Sequence, residues 1–299
     1  MDEIMITGTV ALDTIQTPFG KVEKALGGSA AYASFAASFF SKPNILSVVG
    51  NDFPKEYIEL LKKRQINLDG LQITGKTFHW EGFYEFDMNE AKTKKTELNS
   101  LADFRIKMPE NYKETKYVFL ANIDPDLQLE TLNQIKKPKF IVMDTMNFWI
   151  SGKKKSLIDL IKKVDVLLLN DGEARQLFNT ASLVKASKEA LKLGPKAVII
   201  KKGEHGSLLF TKDKHFSAPG YPLEEIKDPT GCGDCFGGAF IGYLAKTGDL
   251  SESNMRKAVI YGSVVASYNA EDFSLNRLKT LTMSDIEKRY KEFKDIREF

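Results

Sequence analysis

Short apolar runs alternate with amphipathic stretches along most of this chain, and this alternation constrains the fold more than any other feature. Polar residues, glycine or proline bound each run, which is typical of strands buried on both faces. The predicted strands are Glu3–Gly8, Asn44–Val49, Tyr117–Ala121, Phe140–Asp144, Val164–Asn170, Ala197–Lys201 and Ser207–Thr211. The predicted helices are Ser29–Phe40, Pro54–Arg64, Asp126–Ile135, Lys154–Lys163, Glu173–Phe178, Val184–Leu193 and Cys235–Thr247. This order predicts a three-layer α/β fold with a doubly wound, mainly parallel central sheet.

One region departs from the alternation. From Lys76 to Leu98 aromatic and polar residues alternate around a turn near 88–91, which predicts an antiparallel hairpin. A second extended piece, Thr14–Glu23, is expected to pair with it. The hairpin could extend the edge of the main sheet, but a small β-stranded lid over the active site would cover its aromatic face better. The predicted catalytic core comprises 1–12, 26–75 and 104–299, and the predicted lid comprises 13–25 and 76–103.

Size and charge narrow the class of protein. A chain of 299 residues can bury the core of one large α/β domain or of two modest ones. The formal charge of +3 is small and evenly spread, so we expect no nucleic acid partner. No cationic leader precedes an apolar core, and no apolar stretch is long enough to span a bilayer. The sequence therefore predicts a cytoplasmic protein without a membrane partner.

The most informative motif is the run Asp228-Pro-Thr-Gly-Cys-Gly-Asp234, which opens a stretch of small and apolar residues. Gly231 and Gly233 allow a tight turn that leaves backbone N–H groups uncovered. Because a helix is predicted to follow at once, those groups lie at the positive end of its dipole, where a phosphate is stabilised. A carboxylate in such a turn is well placed to act as a base. The motif therefore predicts phosphoryl transfer, with Asp234 as the base.

The same motif is compatible with other kinds of protein. Gly231 and Gly233 with Gly237 resemble part of a dinucleotide fingerprint and would indicate an NAD(P)-dependent dehydrogenase, but here a polar, proline-broken segment precedes them instead of a buried strand. A non-catalytic sugar- or nucleotide-binding protein would have no need of Asp234. Cys232 and Cys235 have the spacing of a zinc or redox pair, yet the three histidines are scattered singly, so packing is favoured.

The motif also resembles the Asp-Thr-x-Gly-Ala-Gly-Asp signature of the ribokinase-like carbohydrate kinases, the PfkB family. Three further segments are similar to family motifs in the same order, and the resemblance covers nearly the whole chain. Gly27-Gly28 resembles the substrate-site glycine pair, and Asn170-Asp-Gly-Glu173 resembles the Asn-x-x-Glu motif near magnesium and phosphates. Lys202-Gly-Glu-His-Gly206 resembles the Gly-x-x-Gly turn of the nucleotide site.

The resemblance implies an ATP-dependent kinase that requires Mg²⁺ and phosphorylates a hydroxyl of a small sugar-like metabolite. The implied catalytic residues are the base Asp234 and an anion hole formed by Gly231, Cys232 and Gly233. The implied substrate-binding residues are Asp13, Gly27, Gly28, Tyr32 and Trp80. The implied ATP-binding residues are Asn170, Lys202, Gly203, Gly206 and Thr230. Glu173 is the implied metal-site residue, acting on the ion through its waters.

Two departures from the family pattern bear on the substrate. Ser29 and Tyr32 stand where ribokinases tend to have lysine and a substrate-binding asparagine, which argues against ribose itself. Tyr32 and the lid aromatics could enclose another sugar, an inositol or a nucleoside, or could only pack in the core. A nucleoside or inositol kinase of the same family is thus the alternative function. Asp144 and Asn147 are open candidates for contacts to substrate or phosphate, and an exposed lid edge would allow a homodimer.

Overall fold

The computed structural model describes residues 2–298, which form thirteen strands and eleven α-helices. The strands are β1 Glu3–Thr7, β2 Ala11–Thr17, β3 Gly20–Gly27, β4 Lys42–Val49, β5 Asn67–Ile73, β6 Phe78–Phe83, β7 Lys92–Glu97, β8 Tyr117–Leu120, β9 Phe140–Met143, β10 Val166–Asn170, β11 Ala197–Lys201, β12 Ser207–Thr211 and β13 His215–Ala218. The helices are α1 Ser29–Ala37, α2 Lys55–Lys63, α3 Pro125–Gln134, α4 Asn147–Gly152, α5 Lys154–Ile161, α6 Asp171–Phe178, α7 Leu183–Leu193, α8 Cys232–Thr247, α9 Glu252–Asn269, α10 Asn276–Thr280 and α11 Met283–Asp295.

A nine-stranded sheet forms the centre of the molecule, in the order β13-β12-β11-β10-β9-β8-β1-β4-β5. The pairs from β11 to β5 are parallel, whereas β12 and β13 are antiparallel additions at one edge. Helices α1, α2 and α8–α11 contribute to the apolar core on one face, and α3–α7 contribute to the core on the other. The predicted three-layer, doubly wound fold is confirmed.

Four strands form a separate small sheet in the order β3-β2-β6-β7. The predicted hairpin is confirmed, because β6 and β7 pair antiparallel, and β2 adds to β6 in parallel. The single extended piece predicted at 14–23 is wrong. Pro18 and Phe19 form a turn there, so the segment is divided between β2 and β3, which pair as a second hairpin. The exact limits of a lid domain, and a homodimer through its edge strands, stay predictions.

Helix α8 begins earlier than predicted. Gly231 is its N-cap with a left-handed φ of 77°, and the Cys235 amide donates to the Gly231 carbonyl oxygen at 2.8 Å. The glycine allows the chain to enter the helix at Cys232 rather than at Cys235. Asp234 therefore lies in the first turn of α8, where the exposed amides of a helix are found. This start places the whole Gly-Cys-Gly-Asp sequence at one helix terminus.

Candidate active site

The candidate residues collect at the carboxyl ends of the parallel strands. β1 pairs with β4 on one side and β8 on the other, so the direction of winding reverses between β1 and β8. Ligands of doubly wound sheets bind in the crevice at such a reversal. Asp144 follows β9, Asn170 ends β10 and Lys201 ends β11. The amino terminus of α8 faces the same edge.

A buried aspartate holds the turn before α8 in place. Asp228 is fully buried, and its Oδ1 accepts the Thr230 amide at 2.9 Å. The Cys232 amide donates to the Pro229 carbonyl oxygen at 3.1 Å, so it is only in part available for the predicted anion hole. Among residues 2–298, the amides of Gly231 and Gly233 have no protein acceptor. These two N–H groups, together with that of Asp234, are free to meet a phosphate.

Tyr32 lies directly beneath this turn. A Cβ placed on Gly231 would fall 2.4 Å from Cγ of the Tyr32 ring. The tyrosine is 1% exposed, and its hydroxyl is buried without a hydrogen-bond partner in the described part of the chain. Its ring therefore supports the turn. The predicted contact between Tyr32 and a substrate stays a prediction.

Asp234 has the electrostatic environment of a base. The residue is half-buried, but its carboxyl group is sheltered enough that burial, followed by the charge of Asp144, raises its pKa to about 7. The charge of Lys201 acts in the opposite direction. A carboxyl group with a pKa near neutrality can take a proton from a hydroxyl more readily than an ordinary aspartate can.

Lys201 is the most important site residue that the sequence reasoning missed. Its Nζ lies 2.6 Å from Oδ2 of Asp144, and the two side chains are 16% and 4% exposed. Burial alone would lower the pKa of Lys201, but the charges of Asp144 and Glu173 raise it above its ordinary value. The alternation of side chains along β11 indicates the direction of Lys201. Ile199 packs on the α8 side of the sheet, and Ile200 packs on the other. Because strand side chains alternate, Lys201 had to face α8.

Asn170 and Glu173 form a reciprocal capping box at the start of α6. The Glu173 amide donates to Asn170 Oδ1 at 2.7 Å, and the Asn170 amide donates to Glu173 Oε2 at 2.7 Å. Burial and the charge of Asp144 raise the pKa of Glu173 to about 8, against the opposing charge of Lys201. The motif therefore has a clear structural role as a helix cap, and Glu173 also interacts with the charges of Asp144 and Lys201.

Asp13 and the glycine pair form the other side of the crevice. A Cβ on Gly27 would lie 1.9 Å from Oδ2 of Asp13, so only glycine leaves room for this carboxylate. Gly28 has a φ of 91°, and a Cβ there would lie 2.5 Å from the Thr9 carbonyl oxygen. Burial raises the pKa of Asp13 to about 7, with a smaller contribution from the charges of Asp228 and Asp234. The charges of Asp228 and Asp234 therefore reach Asp13 across the crevice.

Contacts from the small sheet cover the crevice. Trp80 is in register with Asp13, so the two side chains share a face of the sheet. The indole Nε1 donates to Thr93 Oγ1 at 3.1 Å. The Thr230 hydroxyl donates to the Tyr84 hydroxyl oxygen at 3.2 Å, which joins the small sheet to the turn before α8. Tyr84 is one of the lid aromatics that could enclose a substrate according to the sequence, but its contact with Thr230 was not predicted.

The segment between β11 and β12 turns tightly. Gly203 and Gly206 have φ values of 55° and 79°, and the Lys202 amide donates to the Gly206 carbonyl oxygen at 2.8 Å. A Cβ on Gly206 would lie 2.1 Å from the Ala218 carbonyl oxygen, so the turn packs closely on β13. A Cβ on Gly203 would lie 3.5 Å from Oδ1 of Asn89, in the loop between β6 and β7.

Comparison with known proteins decides the family. A family model described as pfkB family carbohydrate kinase matches residues 1–277. The chain belongs to this family. A cytidine kinase from Thermococcus kodakarensis is 30% identical over 258 residues, which cover 84% of this chain and 92% of that protein.

Solved structures agree on the PfkB fold. The nucleoside kinase of Methanocaldococcus jannaschii superposes with a TM-score of 0.78 at 23% identity and covers 98% of this chain and 99% of its own. A protein described as ribokinase II from E. coli, solved with ATP and Mg²⁺, gives a TM-score of 0.78 at 18% identity over 98% of this chain and 100% of its own. The small sheet is the lid of this ribokinase fold, and the protein is a phosphotransferase of the PfkB type. The dehydrogenase interpretation is wrong.

Two further findings concern the predicted partners. Within residues 2–298, no group of three or more His, Cys, Asp or Glu side chains is arranged to hold a metal ion by itself. The helices that the structure describes include none with the length and apolar character needed to cross a bilayer.

Proposed function

We propose that this PfkB kinase transfers the γ-phosphoryl group of ATP to a hydroxyl of a nucleoside, with Asp234 as the base. The observation that supports this chemistry best is the sheltered Asp234 carboxyl, with its pKa near 7, in the first turn of a helix whose leading amides are free. The cytidine kinase that aligns over 92% of its length favours a nucleoside. The departures at Ser29 and Tyr32 from the ribokinase pattern agree with that choice.

Each part of the site has a step in this proposal. The Asp13 carboxylate accepts hydrogen bonds from the sugar hydroxyls and fixes the acceptor. Asp234 takes the proton of the attacking hydroxyl as its oxygen bonds to the γ-phosphorus, and the bond from that phosphorus to the β,γ-bridging oxygen breaks to release ADP. The amides of Gly231 and Gly233 stabilise the negative charge on the transferring group, which a loose transition state spreads over its three equatorial oxygens. The Tyr84–Thr230 contact holds the small sheet against the turn that carries these amides.

The charges in the site fit a bound Mg²⁺. The charges of Asp144, Glu173 and Asp234 all act on the ammonium of Lys201. When these three carboxyl groups are ionised they outnumber that positive charge, and a bound cation favours their ionised forms. Mg²⁺ keeps several waters and is held largely by substrate phosphates, so it does not need a dedicated cluster of protein ligands. We assign Glu173 to orient the hydrated ion. When bound, the ion would neutralise part of the negative charge of the phosphates.

A substrate panel tests this proposal. Purified protein with Mg-ATP should release ADP fastest with cytidine and other nucleosides, and at least tenfold more slowly with free ribose, fructose or inositol, because a base adds contact area that a sugar alone lacks. ADP release is followed by a coupled assay at matched acceptor concentrations. A clear preference for a free sugar would contradict the nucleoside assignment and leave the kinase assignment in place.

The rate should depend on pH through the two sheltered aspartates. Asp13 and Asp234 act as carboxylates in the proposal, and both have a pKa of about 7. Each is therefore protonated and inactive below that value, so kcat/KM should fall as the pH drops from 8 to 5.5. Because two groups are protonated, log(kcat/KM) should fall more steeply with pH than it does when a single proton binds. The measurement is kcat/KM for the nucleoside at saturating Mg-ATP. A flat profile over this range would contradict the roles of both residues.

A further inference from the structure

The ammonium of Lys201 is placed where a phosphoryl group would meet the anion-binding turn. A Cβ built on Gly233 would lie 3.1 Å from Nζ, so the ammonium lies beside the turn at Gly233. On its other side, Nζ donates to Asp144 Oδ2 at 2.6 Å. The ammonium thus lies between a buried carboxylate and the free amides of the turn.

Not all N–H donors of this ammonium have an acceptor among the described residues. A lysine ammonium has three N–H donors. In the described portion of the chain, that of Lys201 donates one hydrogen bond, to Asp144. The other oxygen of Asp144 accepts the Thr145 amide at 2.9 Å, which fixes the carboxylate in place. Asp144 therefore holds the ammonium in position and leaves two donors free beside the turn.

A role in stability alone does not explain the contacts of the Lys201–Asp144 ion pair. A buried pair contributes little net stability unless its remaining donors and acceptors are satisfied. Here the unsatisfied donors are on the side of the turn. A compact ammonium is also well suited to a phosphate, because it acts as a point charge and needs no fixed plane of approach.

We propose that Lys201 is a further catalytic residue, whose ammonium binds the phosphoryl group during transfer, and that Asp144 is its positioning residue. This inference rests on the proposed phosphoryl transfer. Lys201 adds a full positive charge to the partial charges of the Gly231 and Gly233 amides. As charge spreads over the oxygens of the transferring group, all three groups are on the side where it develops.

The test compares three variants with the wild type. Lys201→Met should lower kcat by roughly 10²–10³-fold, as the loss of one transition-state contact does. It should weaken binding of a non-hydrolysable ATP analogue at least tenfold, while the Kd for ADP and the Kd for the nucleoside change less than threefold. Lys196→Met is the matched control, since the 72% exposed Lys196 side chain pairs with Asp165 at the opposite end of β11. It should keep kcat within twofold.

A double variant separates catalysis from folding. Lys201→Met leaves Asp144 buried without its partner, which can destabilise the fold. Lys201→Met/Asp144→Leu removes both charges, so it should restore Tm towards that of the wild type and remain as slow as the single variant. Turnover within threefold of the wild type, with unchanged affinity for the ATP analogue, would overturn the inference. Binding of the ATP analogue can be measured without an acceptor, so it tests the role of Lys201 separately. A wild type that fails to phosphorylate nucleosides would reject the proposed function but would not decide the role of Lys201.

Discussion

Asp234→Asn should reduce kcat by roughly 10²–10⁴-fold, the usual effect of removing a general base. The amide has nearly the same shape as the carboxyl group but cannot take the proton of the acceptor hydroxyl. Because the turn amides remain in place, the Kd for ADP should change little. Steady-state kinetics with both substrates saturating gives kcat, and calorimetry gives the Kd.

The same substitution should stabilise the fold at alkaline pH. Asp234 has a pKa of about 7 in the folded protein, compared with the ordinary value of 3.8. Between these values the folded state binds a proton that the unfolded state has released, so this residue makes stability fall as the pH rises towards 7. Asparagine removes that penalty, and Tm at pH 8 should exceed the wild-type value. The exposed Asp213→Asn is the control and should alter neither kcat nor Tm. Wild-type turnover in Asp234→Asn would contradict the base assignment.

Gly231→Ala should lower both activity and stability. The new Cβ would fall 2.4 Å from the Tyr32 ring, and Tyr32 is 1% exposed and cannot move aside. The turn must shift instead, carrying the Gly233 amide and Asp234 out of position. Displacements of about 1 Å at a reacting centre cost on the order of 100-fold in rate, and overpacking costs roughly 1–3 kcal/mol of unfolding free energy.

Gly248 supplies a matched control for this clash. It ends α8 with a φ of 66°, close to the 77° of Gly231, and a Cβ there would meet nothing within 4 Å. Gly248→Ala therefore carries only the cost of a left-handed backbone, about 1–2 kcal/mol, and should leave kcat unchanged. Kinetics and thermal unfolding of both variants measure the difference. Equal loss of activity in the two would show that backbone strain, and not the contact with Tyr32, controls the turn.

The strands and helices that the sequence predicted were those whose apolar residues follow one clear pattern, either a continuous run or a single stripe. Central strands such as β10 and β11 are continuous apolar runs, because helices cover both faces of the sheet. The edge strand β5 was missed because it is polar and half-exposed. Helix α9 was missed for the opposite reason. It is buried on several sides, so its apolar residues do not form one stripe along the helix.

The conformation of the candidate site was predicted best where a short segment of backbone determines it. The glycines of the turn and the Asn170–Glu173 cap are defined by local conformation, which a short motif can encode. Lys201 was harder to find because its placement depends on a contact with Asp144, far away in the chain. The contact of the lid aromatic Tyr84 with Thr230 depends on the fold in the same way. The alternation within β11 gave the direction of Lys201, but only the fold supplies the buried carboxylate that holds it.

Transfer of label from ATP is the most direct test of the central claim. In a single turnover with excess protein, Mg²⁺, γ-labelled ATP and cytidine, the label should appear in a nucleoside monophosphate, with one ADP formed for each labelled product. Asp234→Asn at the same concentration should leave the label in ATP. Label released only as inorganic phosphate, or retained in ATP while cytidine is bound, would contradict the account.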